Sequence, residues 1–202
     1  MRRRPRAPLL YVADSRPMDE TLALLTLVLA EGPLAPRRAL LRSAGTARAA
    51  LALGVAGWRA HGGTPAQCAA LQGPDARSLA TAQHWLQAPD HQLLACTDPA
   101  LPPLLQDLPN PPLALFVAGD PSLAWRPSVA VVGSRSPTPG GRALAARFAR
   151  CFAEAGLTVS SGLAAGIDAA AHTAALDAGG CTVAVIATGP DLAYPPGNAR
   201  LQ

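Results

Sequence analysis

The segment Gly133-Ser134-Arg135-Ser136-Pro137-Thr138-Pro139-Gly140-Gly141 concentrates groups suited to holding an anion. Ser134, Ser136 and Thr138 supply hydroxyl donors. Arg135 supplies a planar guanidinium that can grip two oxygens at once. Glycines let backbone N–H groups come close to a ligand. An apolar run precedes the segment and a helical pattern follows it, so Gly140 and Arg142 fall in the first turn of a helix. Helix N-termini carry unpaired N–H groups and partial positive charge, both favourable to phosphate. The loop is neither Gly-x-Gly-x-x-Gly nor a Walker loop, so the cofactors those motifs hold are not indicated. The plain alternative is a connector rich in glycine. Charge supports the anion: no Asp or Glu lies between Asp120 and Glu154, whereas Arg126, Arg135, Arg142, Arg147 and Arg150 do. A stretch of one sign raises the local potential. Arg135 is the expected ligand and Arg142 a secondary one, with Arg147 and Arg150 expected on a solvated face.

Two further loops hold polar candidates. In Ser160-Ser161-Gly162-Leu163-Ala164-Ala165-Gly166-Ile167-Asp168, a serine, Ser161 above all, and Gly162 could donate to phosphate at a second helix start. Asp168 complements the dipole of that helix, and His172 four residues on shares its side, so the two can pair. With no nucleophile nearby, a structural pair is expected rather than an acid–base couple. The third loop holds Asp191, Tyr194, Pro195, Pro196 and Asn198. Tyr194 either stacks on a base, worth about 1–3 kcal/mol, or covers the loop as an apolar lid.

The elements that must position these loops alternate in period. Val129-Ala130-Val131-Val132 reads as a strand. From residue 141 to 155 a helical pattern places Leu144, Phe148, Cys151, Phe152 and Ala155 on one face, opposite Arg142, Arg147 and Arg150. Residues 157–159 form a second strand. Residues 167–178 form a second helix, with Ile167, Ala170, Ala171, Ala174 and Ala178 on one face, and 181–187 form a third strand. Strand–helix–strand–helix–strand with apolar strands predicts an α/β fold whose parallel sheet is buried on both faces. Right-handed crossovers then gather the three loops at one edge, where open parallel sheets bind ligands.

The front of the chain differs. Residues 17–86 read as short helices, opened by Asp19 and Glu20 with Leu22, Leu25 and Leu29 at helical spacing, and broken at Gly32-Pro33, Gly45, Pro65 and Pro74. Six prolines, from Pro99 to Pro112, make a connector flanked by strand candidates at 92–96 and 115–118. The expected division is a helical domain over 1–88 and a sheet domain over 89–202.

Composition narrows the classes of function. The 202 residues include 17 basic and 13 acidic ones, for a net charge of +4. All the basic residues are arginine, which excludes a Walker lysine, a Schiff base and a Ser-Lys dyad. Only 4% are aromatic, against rows of stacking rings. Cys68, Cys96, Cys151 and Cys181 form no C-x-x-C, so neither a disulfide framework nor a zinc site is expected, and Cys151 and Cys181 read as small core residues. No cofactor or metal is indicated. The basic start at 1–6 precedes short apolar runs at 7–13 and 22–30 that make neither a signal peptide nor a span, so no membrane partner is expected and the cytoplasm is the default location.

Three strings in order carry a resemblance: Val129-Ala130-Val131-Val132-Gly133-Ser134-Arg135; Ser160 and Gly162-Leu163-Ala164 with Gly166-Ile167-Asp168 and Ala171-His172; and Thr188-Gly189 with Asp191, Tyr194-Pro195 and Asn198. From about residue 92 to 202 the chain resembles the DNA-processing protein A (DprA, or Smf) family. The resemblance implies a Rossmann-like fold, single-stranded DNA as ligand, protection of incoming DNA and help in loading the RecA recombinase during natural transformation. It places Gly133, Ser134 and Arg135 in the anion pocket. The helical front resembles that family's sterile-alpha-motif-like or helix-hairpin-helix-like domain, but Gly32-Pro33-Leu34-Ala35-Pro36 replaces a Gly-x-Gly turn, which argues against direct DNA contact there. The family continues well past Asn198 with further strands, basic residues and a dimer surface and can carry a winged-helix-like domain, so a partial chain with a weakened homodimer is expected.

Two alternatives stand beside this one. Nucleotide phosphoribohydrolases of similar fold carry Pro-Gly-Gly-x-Gly-Thr-x-x-Glu; here Pro139-Gly140-Gly141 is followed by Ala143, Leu144 and Arg147 where Gly, Thr and Glu are needed, so the acid–base carboxylate is missing. The other is a remnant without function.

Overall fold

A computed structural model describes residues 18–202; the basic start at 1–6 and the apolar run at 7–13 lie outside the described residues. The chain divides into two compact units. One runs to Thr97 and takes in Pro109–Leu115; the other comprises Asp98–Leu108 and Phe116–Gln202.

The first unit holds six helices: α1 (Met18–Leu29), α2 (Leu34–Ala44), α3 (Ala47–Ala52), α4 (Gly54–Ala60), α5 (Pro65–Gln72) and α6 (Ala76–Trp85). Their boundaries follow local chemistry. Gly45 ends α2 at φ 78°, a left-handed conformation glycine adopts without strain. Thr46 caps α3, Asp75 caps α6, and Thr64 forms a capping box with Gln67 at α5. Leu25, Leu27, Leu40, Leu41, Ala47 and Trp58 are buried. So is Arg37, whose guanidinium donates to the carbonyls of Leu27 and Val28 at the C-terminal end of α1 and of Gly32 and Pro33 in the loop that leads into α2. Strands β1 (His91–Ala95) and β2 (Ala114–Ala118) form a two-stranded sheet.

The second unit is the parallel sheet. Its elements are β3 (Ser128–Ala130), α7 (Pro139–Glu154), β4 (Thr158–Ser161), α8 (Ile167–Asp177) and β5 (Thr182–Ala184), with strand order β3-β4-β5. Val129 lies beside Val159, and Val159 beside Thr182. Because the chain steps across the sheet in one direction, both right-handed crossovers lie on one face. There Ala149 and Ala153 of α7 meet Val159, Ala171, Ala174 and Ala175, with Val131 and Phe152 packed against them.

The expectation of a sheet buried on both faces holds for the central strand, where Thr158, on the side opposite Val159, is 1% exposed, but not for the strands on either side of it. Residues alternate sides along a strand, and on the side away from α7 and α8 Ser128 and Ala130 are exposed, Val132 is 72% exposed and Val185 69%.

A second correction concerns α7. The buried stripe is Ala145, Ala149 and Ala153, while Leu144 and Phe148 are 52% and 51% exposed and Cys151 is exposed as well. At about 100° per residue, the packed face is turned roughly a third of a revolution from the face bearing the large side chains. Close approach explains it: an added Cβ on Gly180, just past α8, would fall 2.6 Å from the Cβ of Ala153. At that crossing there is no room for a side chain on Gly180 against Ala153. Among the described residues no helix is long and apolar enough to cross a membrane.

Candidate phosphate-binding site

The loop after β3 is anchored from behind. The Ser161 hydroxyl donates to the Val131 carbonyl at 2.6 Å, and the Val131 N–H to the Ser160 carbonyl at 2.9 Å. Gly133 lies against Ile167, whose Cγ1 would be 2.8 Å from an added Cβ. The Ile167 N–H donates to the Ser134 carbonyl at 3.1 Å. Gly166, at φ 87°, passes so close beneath that a Cβ there would overlap the Ser134 oxygen and approach the Arg135 oxygen to 2.7 Å. The first residue of α8 therefore has its N–H answered by the protein itself.

The start of α7 is different. Thr138 caps it, its Oγ1 accepting from the Gly141 N–H at 3.1 Å, and Ser134 Oγ accepts from the Ser136 N–H at 3.1 Å. Both hydroxyls act as acceptors here, which leaves their protons for a ligand. Around Gly140 an added Cβ would meet nothing within 4 Å. Ser134, Arg135, Ser136, Thr138, Gly140 and Arg142 are all exposed, and neither arginine has an ion pair among the described residues. The Gly141 and Arg142 N–H groups are spent on Thr138 and Pro139 has none, so the arrangement can hold an oxyanion by hydroxyls, the Gly140 amide and guanidinium together.

Three other candidates are occupied inside the protein. Ser161 is buried with its hydroxyl on Val131. The N–H groups of Gly162 and Ala164 donate to the Asp168 carboxylate at 3.1 and 3.4 Å. The Asn198 amide donates to the carbonyls of Leu163 and Ala164 at 2.8 and 3.3 Å. Between these two holds Leu163 sits at φ 58° with its side chain 2% exposed. The loop after β4 is thus a braced platform, not a cradle. Tyr194 is 61% exposed, so its ring faces solvent.

Asp168 and His172, expected as a pair, interact through the Asp168 charge, while their hydrogen bonds go to other groups. His172 Nδ1 lies 2.6 Å from Thr182 Oγ1, and that hydroxyl donates to the Val159 carbonyl at 2.7 Å. Thr182 must then accept, which puts the imidazole proton on Nδ1. Nε2 is buried without a partner. Burial pushes the His172 pKa below its ordinary value, against the pull of the Asp168 charge and the Ser161 carbonyl.

The residue that sequence reasoning passed over is Gly166. Its signal was available: a glycine directly before a helix start, where another backbone must come close. Among the described residues no group of His, Cys, Asp and Glu could hold a metal.

The fold is a Rossmann-like α/β sheet with its loops gathered at the carboxyl edge, preceded by a helical region. Residues 92–202 match the family model for DNA recombination-mediator protein A, and the chain belongs to that family. It is similar to Protein Smf of Synechocystis sp., at 41% identity over 119 residues, 57% of this chain and 30% of the relative. It is similar to DNA processing protein DprA of Streptococcus pneumoniae, at 46% identity over 98 residues, 48% of this chain and 34% of the relative. Its fold is similar to the X-ray structure of DprA from Streptococcus pneumoniae, with a TM-score of 0.73 and 29% identity over 89% of this chain and 62% of that one. The chain spans about a third of the length of these curated relatives.

Proposed function

We propose that the chain binds single-stranded DNA in the cytoplasm as a recombination mediator of the DNA-processing A type, without catalysing a reaction. Phosphates contact Ser134, Arg135, Ser136, Thr138, Gly140 and Arg142, and Tyr194 stands ready to stack on a base. What carries this is the outward set of hydroxyl, amide and guanidinium donors at the start of α7, in a stretch free of acidic residues from 121 to 153. Ser161, Gly162 and Asn198 serve from behind. Family membership supports DNA as the polyanion. Protection of incoming DNA, delivery to RecA and self-association into a homodimer belong to the same proposal, with the DNA site in residues 89–202 and the helical domain making no direct contact. The Asp168 carboxylate, bonded to loop amides, is not placed as an acid or base toward a substrate, which favours binding over hydrolysis.

Fluorescence anisotropy with labelled oligonucleotides tests the site. Arg135→Ala should weaken binding equally for oligothymidine and mixed sequence and reduce the salt slope by about 0.7. Unchanged affinity removes Arg135 from the interface.

A further inference from the structure

Among the described residues, every hydrogen bond that residues 186–202 make outside their own segment passes through the Asn198 amide, to Leu163 and Ala164. Inside the segment the same residue is the hub. Its N–H donates to the Pro195 carbonyl at 2.9 Å, and its own carbonyl accepts from Leu201 at 2.8 Å and Gln202 at 3.0 Å. The other bonds, Leu192 to Gly189, Ala199 to Pro196 and Gln202 to Pro190, join the segment only to itself. Pro195 directly follows Tyr194. One side chain therefore couples the exposed tyrosine to the platform loop, and that loop, through Gly166 and Ile167, supports Ser134 and Arg135.

We infer that Asn198 is a positioning residue: without touching DNA, it sets Tyr194 at a fixed place beside the phosphate-binding loop, so that a strand held there by its backbone meets the ring with its bases. The inference rests on the proposed DNA-binding site. A backbone without bases gains nothing from the ring, whereas a strand with bases gains its stacking energy. Asn198 should matter only to the second.

The test measures affinity for oligothymidine and for an abasic oligonucleotide of equal length, with a thermal melt of each variant. Tyr194→Ala and Asn198→Ala should each weaken oligothymidine binding about 5- to 150-fold, the range that one lost stacked base allows, and leave abasic binding within about twofold. The double variant should be no weaker than either single one. Asn198→Ser, which keeps one donor, should fall between wild type and Asn198→Ala, and it stands in if the alanine variant does not fold. Equal losses on both strands, additive losses in the double variant, or a silent Tyr194→Ala would overturn the positioning role. Arg135→Ala, run alongside, weakens both strands if the site itself is right; if it changes neither, the site has failed rather than this inference.

Discussion

The carbonyl of Ser134 is fastened to the N–H of Ile167 at 3.1 Å, joining the arginine-bearing loop to the first residue of α8. The crossing depends on Gly166, which combines a left-handed φ of 87° with contact against the Ser134 and Arg135 carbonyls. Gly166→Ala adds backbone strain and a steric clash at one point. It should cost at least about 2 kcal/mol, seen in urea denaturation, and should weaken DNA binding in whatever fraction still folds. An alanine variant with wild-type stability and affinity contradicts the close crossing.

The alanine seam of α7 reverses the usual hydrophobic scan. Ala149→Leu inserts bulk between α7 and α8 and should destabilise by about 1–3 kcal/mol. Phe148→Ser removes a half-exposed ring whose stacking on Phe152, with centroids 6.1 Å apart, is worth about 0.5–1.5 kcal/mol, and should cost less than Ala149→Leu. Chemical denaturation of both variants checks the order; a larger loss for Phe148→Ser refutes the seam.

His172 makes the fold sensitive to acid. Burial lowers its pKa in the folded state, so the unfolded chain, titrating near about 6.5, takes up a proton that the folded chain resists. The histidine's contribution is complete above that value and is lost as pH falls from there toward the lower folded pKa. His172→Asn, able to keep a donor toward Thr182, should be less stable at neutral pH yet lose less on acidification. Subtracting its stability curve from that of wild type removes the other titrating groups; a difference independent of pH below 6.5 would disprove the assignment.

Arg37 joins α1 to α2 through four carbonyls at 2.7–3.3 Å. Its removal leaves buried acceptors unanswered, and Arg37→Ala should cost about 2–4 kcal/mol. Arg37→Lys should recover only part, since a single ammonium cannot span the fork. Urea midpoints of the two variants give the comparison.

Much of this was legible along the chain. The breaks at Gly32-Pro33 and Gly45 and the alternation of strand and helix from Val129 onward are local signals, each acting over a few residues. The acid-free window around Arg135 is likewise a property of sequence alone. Ser161 and Asn198 were legible as polar loop residues but not as internal ties, because their acceptors lie 30 and 35 residues away. The face of α7 was misjudged for a related reason. A hydrophobic pattern weights the largest apolar side chains, whereas close helix approach selects the smallest.

Residue order by itself therefore determined the order and type of the elements from Val129 onward, the family and the positive character of one loop. Which donors face outward was decided only when the crossovers brought three distant loops together. A hydroxyl or amide binds whichever acceptor lies within hydrogen-bonding distance. For Ser134 and Thr138 the partners are amides two and three residues on, which leave the hydroxyl protons to be donated outward. For Ser161 and Asn198 the nearest acceptors are carbonyls of neighbouring segments, and those take up the donor.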